Sequence, residues 1–165
     1  MRLAALVLAA LAITGCGLRP LYGTGGGSAV TSTLRAVSVG PIEGQAGWLV
    51  RTKLVDRIDA AGAAAPSYRL DIVLDDSITA FGIRRDRAAT RERRTLRARY
   101  QLVELASGQV VLDATAGADA GVDIVSSEYA TVAAEQTALE HLAEILADQI
   151  VARVALFAAR SGDPR

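Results

Sequence analysis

The sequence begins with the pattern of a secretion signal, which decides where the rest of the chain must fold. Arg2 supplies a positive charge, residues 3–13 form an unbroken apolar run, and the small residues Thr14 and Gly15 precede Cys16. This run is far shorter than the roughly 20 apolar residues that a helix needs to cross a bilayer, so a membrane-spanning anchor is disfavoured. Cys16 is the only cysteine in the sequence, so no intramolecular disulfide can stabilise the fold. The exported chain must therefore be held together by its hydrophobic core.

Residues 13–16 at the end of this segment resemble a lipobox, the processing site of bacterial lipoproteins. The small residues before Cys16 would admit a signal peptidase, and the cysteine thiol is the nucleophile that would take the diacylglycerol. We therefore predict a signal peptide at residues 1–15 and lipidation at Cys16; the alternative is an ordinary signal peptide that happens to contain a cysteine. Gly17, in place of an aspartate, is typical of lipoproteins addressed to the outer membrane. We expect a lipid anchor there, on the periplasmic side.

The chain that follows the cysteine is long enough for one domain with a sizeable core. A glycine-rich stretch at residues 23–28 cannot bury apolar area, so we place it in a flexible tether at residues 16–32. The folded domain is predicted at residues 33–160 and a short tail at residues 161–165. Eighteen basic and eighteen acidic residues give a formal net charge of zero, which implies no global polyelectrolyte function.

Apolar periodicity along the domain indicates the order β-α-β-β-β-α. Strands are predicted at residues 34–39, 68–76, 95–105 and 110–116, and helices at residues 47–61 and 128–159. Residues 77–95 are interpreted as an extended, protruding hairpin with its tip near residues 86–90, and residues 117–125 as an irregular connection. A right-handed crossover through the first helix should make the first two strands parallel. The predicted fold class is α+β, a mixed four-stranded sheet covered on one face by two helices.

The other face of this sheet is expected to be polar, because successive strand residues point to opposite sides. The outward side chains on that face are those of Arg69, Asp71, Asp75, Arg97, Arg99 and Asp113. Such a face could be solvated or bound by a partner.

No catalytic or metal-binding constellation is visible in the sequence. His141 is the only histidine, and it lies beside Glu140 and Glu144 next to an apolar helical stripe, as a surface histidine would. Asp75 and Asp76 are adjacent in a strand, so their carboxylates cannot converge on one substrate atom. We therefore predict no enzymatic activity, no bound metal and no cofactor.

The feature that composition does not explain is a concentration of arginine at residues 84–99, where eight arginines and two acids give a local charge of +6. Guanidinium groups bind phosphate and carboxylate through paired hydrogen bonds, so a protruding basic hairpin suits an anionic lipid head group. The candidate anion-binding residues are Arg84, Arg85, Arg87, Arg91, Arg93 and Arg94. In the alternative interpretation, Arg97 and Arg99 form cross-strand ion pairs with Asp71 or Asp75, and the remaining arginines belong to a solvated loop.

Several stretches together resemble one bacterial family. Residues 16–23 read CGLRPLYG, residues 84–91 form the basic hairpin, and residues 98–102 lead towards a turn at Ser107 and Gly108. With the β-α-β-β-β-α order, these stretches resemble the lipopolysaccharide-assembly lipoprotein family, LptE or rare lipoprotein B, in its alphaproteobacterial form. The resemblance covers essentially the whole chain after the signal, and residues 16–23 are its most specific part.

The resemblance implies a non-enzymatic protein with two partners. Members of this family sit inside a large outer-membrane β-barrel, the LPS-assembly protein LptD, where they help the barrel to fold and plug its lumen. They also bind lipopolysaccharide during its delivery to the outer leaflet, through basic residues that would here lie around residues 84–94. A polar sheet face suits such a plug, because barrel lumens are polar. Nucleic acid is not an expected partner, because the protein is exported.

Other classes of function remain open. An auxiliary lipoprotein of a phospholipid-transport ABC system would also be a small α/β lipoprotein, and the proteins that copurify with the chain would distinguish it. A periplasmic enzyme is disfavoured because no acid, base and nucleophile converge. A structural, peptidoglycan-linked lipoprotein would be expected to show a coiled coil or an aromatic glycan-binding patch, and the aromatic content is only 4%.

Overall fold

The computed structural model describes residues 27–62, 64–83 and 89–161. In chain order, its elements are α1 (Gly27–Arg35), β1 (Val37–Val39), α2 (Gly44–Asp59), β2 (Tyr68–Ile83), β3 (Ala89–Glu104), β4 (Val110–Asp123) and α3 (Glu128–Ser161). The strands form one sheet in the order β1-β2-β3-β4, with β1 parallel to β2 and the remaining pairs antiparallel. The predicted α+β class, the mixed four-stranded sheet and the parallel crossover are therefore confirmed.

The core lies between one face of the sheet and the helices. Alternate residues of β3, including Leu96, Tyr100 and Leu102, are almost completely buried, and they face apolar stripes on α2 and α3. The two long helices, α2 and α3, run in the same direction. Lys53 Nζ on α2 lies 2.6 Å from Glu144 Oε1 on α3. Gln45 and Gln136, which hydrogen bond to each other, both precede that pair on the same two helices. Apolar burial on this single face is what orients the outward residues toward solvent.

A third helix, α1, occupies part of the segment that we predicted to be a tether. Its nine residues overlap the tether at residues 27–32 and the predicted first strand at residues 34 and 35. Val30 and Leu34 lie one turn apart and are both buried in the core. Because this short apolar stripe is buried against the other helices, the segment is helical although its β-branched residues favour a strand. The first strand, β1, is therefore shorter than predicted and covers only Val37–Val39.

The sheet also extends further than predicted. We use "distal sheet" for the part made by residues 77–83 of β2, 89–95 of β3 and 117–123 of β4. The hairpin of β2 and β3 is paired from Tyr68 opposite Glu104 to Ile83 opposite Ala89, as a protruding hairpin requires, and its predicted tip lies largely outside the described residues. The prediction of an irregular connection at residues 117–125 was wrong, because residues 117–123 pair with β3 as a continuation of β4. None of the described helices has both the length and the apolar character that crossing a membrane requires.

Candidate anion-binding surface

The predicted anion-binding residues are divided between described and undescribed parts of the chain. Arg84, Arg85 and Arg87 lie outside the described residues, as does the predicted lipidation site Cys16. The other three arginines lie on β3 in the distal sheet: Arg91, Arg93 and Arg94. They are strand residues, so their direction is set by the alternation of β3.

Arg91 and Arg93 point away from the helices. Arg91 Nε donates a hydrogen bond of 2.7 Å to Oδ1 of Asp123, which lies directly opposite on β4. The guanidinium carbon of Arg93 lies 5.4 Å from the ring centroid of Phe81, a cation–π contact. The Arg91 ion pair is well exposed to solvent, so it could exchange its carboxylate for another anion at little cost.

Arg94 points to the helix side of the sheet and is committed to internal contacts. Its side chain is only 12% exposed. Nε and Nη2 donate to the two carboxylate oxygens of Asp76 at 2.9 and 2.6 Å, and Nη1 donates to the backbone carbonyl of Glu135 on α3 at 3.0 Å. Arg94 thus joins β2, β3 and α3, and it is not part of a solvated loop.

Arg97 and Arg99 form cross-strand ion pairs, but with other partners than the sequence suggested. Arg97 Nη2 lies 3.3 Å from Asp119 Oδ2, and Arg99 Nη2 lies 3.1 Å from Asp113 Oδ2, both carboxylates being on β4. The predicted partner Asp71 is instead engaged by Arg69 of its own strand at 2.8 Å. The pairing prediction was right in kind and wrong in the strand that supplies the acids.

These contacts shift the pKa values of the β4 carboxylates. The pKa of Asp113 is lowered, first by a hydrogen bond from Arg99 and then by one from Gln101. The pKa of Asp119 is lowered mainly by the hydrogen bond from the Thr95 hydroxyl, with a smaller contribution from Arg97. The ionised form of both acids is therefore favoured, and it is this form that pairs with Arg97 and Arg99.

Gly117 shapes the middle of this surface. A Cβ atom at this position would overlap the Arg97 side chain, which crosses the bare backbone on its way to Asp119. On the same residue, the backbone N–H donates to Gln149 Oε1 at 3.1 Å and the carbonyl accepts from Gln149 Nε2 at 3.3 Å. The result is an open depression of about 640 Å³ on the outer face, lined in part by Val73 and Arg99.

Sequence reasoning missed a pair of acids on the helix side of the distal sheet. Glu92 Oε2 is buried and has no hydrogen-bond partner among the described residues. Burial raises the pKa of Glu92, and a hydrogen bond with the Glu135 side chain raises it further. The inward position of Glu92 could have been predicted from the alternation of β3. Glu92 and Arg94 lie an even number of residues from the buried Leu96, so they point to the same face of the sheet.

The described surface is therefore a sheet face on which most arginines of β3 are paired with acids of β4. Four arginines follow the outer face of β3: Arg91, Arg93, Arg97 and Arg99. Of these, only Arg93 lacks an ion pair with a described residue. Across the described ranges, no three His, Cys, Asp or Glu side chains are grouped so that they could hold a metal ion. Chemically, the arrangement can bind anions and pack against polar surfaces.

The four-stranded α+β fold is shared by several bacterial lipoproteins of known structure. A putative lipoprotein from Caulobacter crescentus is similar over 82% of this chain and 98% of its own, with 24% identity and a TM-score of 0.64. Rare lipoprotein B from Shewanella oneidensis is similar over 78% of this chain and 98% of its own, with 11% identity and a TM-score of 0.59. Lipoprotein B from Nitrosomonas europaea covers 74% of this chain and 84% of its own, with 14% identity and a TM-score of 0.57.

The sequence itself identifies the family. The model of the family LptE, described as lipopolysaccharide-assembly, matches residues 34–154, which is well over half of the 165-residue chain. The chain therefore belongs to the LptE family, as the resemblance predicted, and the Caulobacter structure is consistent with the alphaproteobacterial form. A comparison with curated proteins gave no match.

Proposed function

We propose that this protein is a non-enzymatic outer-membrane lipoprotein that binds and plugs a large lipopolysaccharide-assembly β-barrel of the LptD type. It is anchored through acyl chains on Cys16, assists assembly of the barrel, and assists insertion of lipopolysaccharide into the outer leaflet. Membership of the lipopolysaccharide-assembly family supports the role in lipopolysaccharide assembly. The polar outer face of the sheet supports the role as a plug of the barrel.

The main support for the role as a plug is a row of ion pairs on the outer face of the sheet. Arg91–Asp123, Arg97–Asp119 and Arg99–Asp113 join β3 to β4 along the length of the outer surface. A charge-paired sheet exposes hydrogen-bonding groups without a large net charge, which suits contact with the polar lumen of a barrel. A domain that docked through an apolar interface would instead expose a contiguous apolar patch on this face.

We propose that lipopolysaccharide is bound at the hairpin end of the same surface. The candidates remain Arg84, Arg85, Arg87, Arg91, Arg93 and Arg94. Arg93 has no ion pair with a described residue and Arg91 has an exposed one, so both can meet a lipid phosphate directly. Arg94 contributes from the other side, by holding the strand that presents its two neighbours.

The test is a mild-detergent purification of the tagged, full-length protein from cell envelopes, with the copurified proteins identified by mass. We expect a stoichiometric outer-membrane barrel. A Cys16→Ser variant serves as the control for the anchor, since it should lose acyl chains and membrane attachment while its folded domain is unchanged. Copurification of an inner-membrane transporter, with no barrel, would overturn the proposal in favour of the phospholipid-transport interpretation.

A further inference from the structure

A small pocket, which we call the edge pocket, opens between α3 and the free edge of β4. Its volume is about 390 Å³, and it is lined by Tyr100 of β3, residues 113–116 of β4, and Gln149 and Arg153 of α3. Ala114 and Ala116 point toward α3 on the inner face of the sheet. Their small side chains leave the space between strand and helix unfilled.

Tyr100 brings a hydroxyl from the hydrophobic core into this pocket. The residue is only 2% exposed, and its hydroxyl forms no hydrogen bond with a described residue. Among the described residues, the buried side-chain atom that lacks a partner is Glu92 Oε2, so the Tyr100 hydroxyl keeps contact with solvent. Because Tyr100 lines the edge pocket, this is the space into which the hydroxyl opens. Its hydrogen bond is left to whatever enters the pocket.

Arg153 supplies a positive charge beside this hydroxyl. Its side chain forms no ion pair with a described residue, whereas Arg57 of α2 and Arg94 of β3 are each bound to a carboxylate. Burial raises the pKa of the Tyr100 hydroxyl, and the nearby guanidinium of Arg153 partly opposes this effect. The hydroxyl therefore stays protonated at neutral pH and can donate a hydrogen bond.

Two other polar side chains of the edge pocket are engaged by neighbouring residues. The Asp113 carboxylate accepts hydrogen bonds from Arg99 and Gln101, and its charge is balanced by that of Arg99. The Gln149 oxygen accepts from the N–H of Gly117, and the Gln149 nitrogen donates to the carbonyl of the same residue. An amide nitrogen carries two hydrogens, so Gln149 keeps one N–H that can donate.

We propose that the edge pocket binds a single oxyanion, either a carboxylate or a phosphate group. The free groups that decide this are donors: the Arg153 guanidinium, the Tyr100 hydroxyl and the second N–H of Gln149. A guanidinium takes two oxygens of such a group through paired hydrogen bonds, and the hydroxyl can donate to one of them. One unpaired positive charge matches one anionic group.

This site is separate from the anion-binding surface described above. Tyr100 lies nine residues from Arg91 along β3, which is about 30 Å, and it faces the helices and not the outer side of the sheet. The inference therefore does not rest on the proposed function. It holds whether or not the outer face contacts a barrel.

NMR titration with two small anions tests the site. The full-length protein is kept in nonionic detergent micelles at constant ionic strength, and either sodium phosphate or sodium acetate is added. We expect saturable shifts of the Arg153 Nε–H signal and of the Gly117 amide signal, which reports on Gln149. Saturation by phosphate alone assigns a phosphate group, saturation by acetate alone assigns a carboxylate, and saturation by both assigns a general oxyanion site.

Three variants make the result specific to the edge pocket. Tyr100→Phe removes the hydroxyl but keeps the ring in the core, so the affinity should fall about fivefold with a nearly unchanged unfolding temperature. Arg153→Gln should lower the affinity about tenfold or more, as read from the Gly117 signal. Arg160→Gln removes the same charge from another exposed position of α3 and should leave the affinity unchanged.

Four outcomes would overturn the proposal. Shifts that rise linearly with both anions, or that are the same in Arg153→Gln, would mean that the anions only screen charge. An unchanged affinity of the folded Tyr100→Phe protein would mean that the hydroxyl has no part in binding. An equal loss of affinity in Arg160→Gln would mean that the net charge of α3, and not the pocket, attracts the anion.

Discussion

Two adjacent arginines in the distal sheet show how differently its two faces are built. Arg93 lies on the outer face, over the ring of Phe81, without an ion pair to a described residue. Arg94 lies on the inner face, where it binds Asp76 and the carbonyl of Glu135. A step of one residue along β3 therefore separates a cation that can meet a ligand from one that joins the sheet to α3. The basic segment is not one surface, and its local charge overstates what it presents to a partner.

Replacing each of these arginines should separate the two roles most clearly. We expect Arg94→Ala to lower the free energy of unfolding by about 2 kcal/mol, because hydrogen bonds to charged groups are lost and the Asp76 carboxylate is left half-buried without its partner. Arg93→Ala should lower it by less than about 1 kcal/mol, the usual size of an exposed cation–π contact. Urea unfolding of both variants gives the comparison. Equal losses would mean that the two faces do not differ in this way.

Reversing the charge of the outer-face arginines should act on ligand binding. We expect the double variant Arg91→Glu and Arg93→Glu to bind lipopolysaccharide about tenfold more weakly, which corresponds to roughly 1.4 kcal/mol, with a nearly unchanged unfolding temperature. The control is the same change of charge at two exposed helix positions, Arg51→Glu and Arg160→Glu. A similar loss of affinity in the control would mean that net charge, and not this surface, governs binding.

The acids on the inner face of the distal sheet should make the stability of the fold depend on pH. The raised pKa of Glu92 stabilises the fold below the pKa of the unfolded chain, and this stabilisation is lost as the pH rises through the pKa of the folded protein. Glu92→Gln should remove that loss, so its unfolding temperature should fall less than that of the wild type between acidic and neutral pH. Glu140→Gln, an exposed change on α3, should leave the wild-type slope intact. Parallel curves for Glu92→Gln and the wild type would contradict the assignment.

The smallest effect on stability is expected from the pairing of Asp113 with Arg99 on the outer face. The lowered pKa of Asp113 stabilises the fold above the pKa of the unfolded chain, and this contribution is lost as the pH falls through the lowered value. Arg99→Gln removes the first cause of the shift, so the pKa of Asp113 should rise toward its ordinary range while that of Asp119 stays low. NMR titration of the carboxylates checks this. A shift of both acids together would mean that the pairs are not independent.

The parts of the fold that were predicted correctly are those where apolar residues alternate or repeat. Leu96, Tyr100 and Leu102 mark the inner face of β3, and the leucine stripe of α3 marks its buried side. The distal part of β4 was missed because Gly117 and Gly121 carry no β signal of their own. Its strand conformation is set by pairing with β3, which a local pattern does not contain.

The candidate site, like the fold, was predictable from sequence only where it depends on the alternation within one strand. Extending the alternation of β3 backward from Leu96 places Arg94 inward and Arg93 outward, so their separation was accessible from sequence. The partners of Arg97 and Arg99 were not accessible, because they depend on the register of β4, which shifts at Leu102 and Val103. Whether an acid lies opposite or diagonal to an arginine is decided by that shift.

The side chain of Gln149 stands, at one point, in the place of a strand that β4 lacks. Its amide donates to the carbonyl and accepts from the N–H of Gly117, as a peptide group of a fifth strand would. A Gln149→Ala change would leave both backbone groups of Gly117 to solvent and would open this point of the β4 edge to a pairing strand.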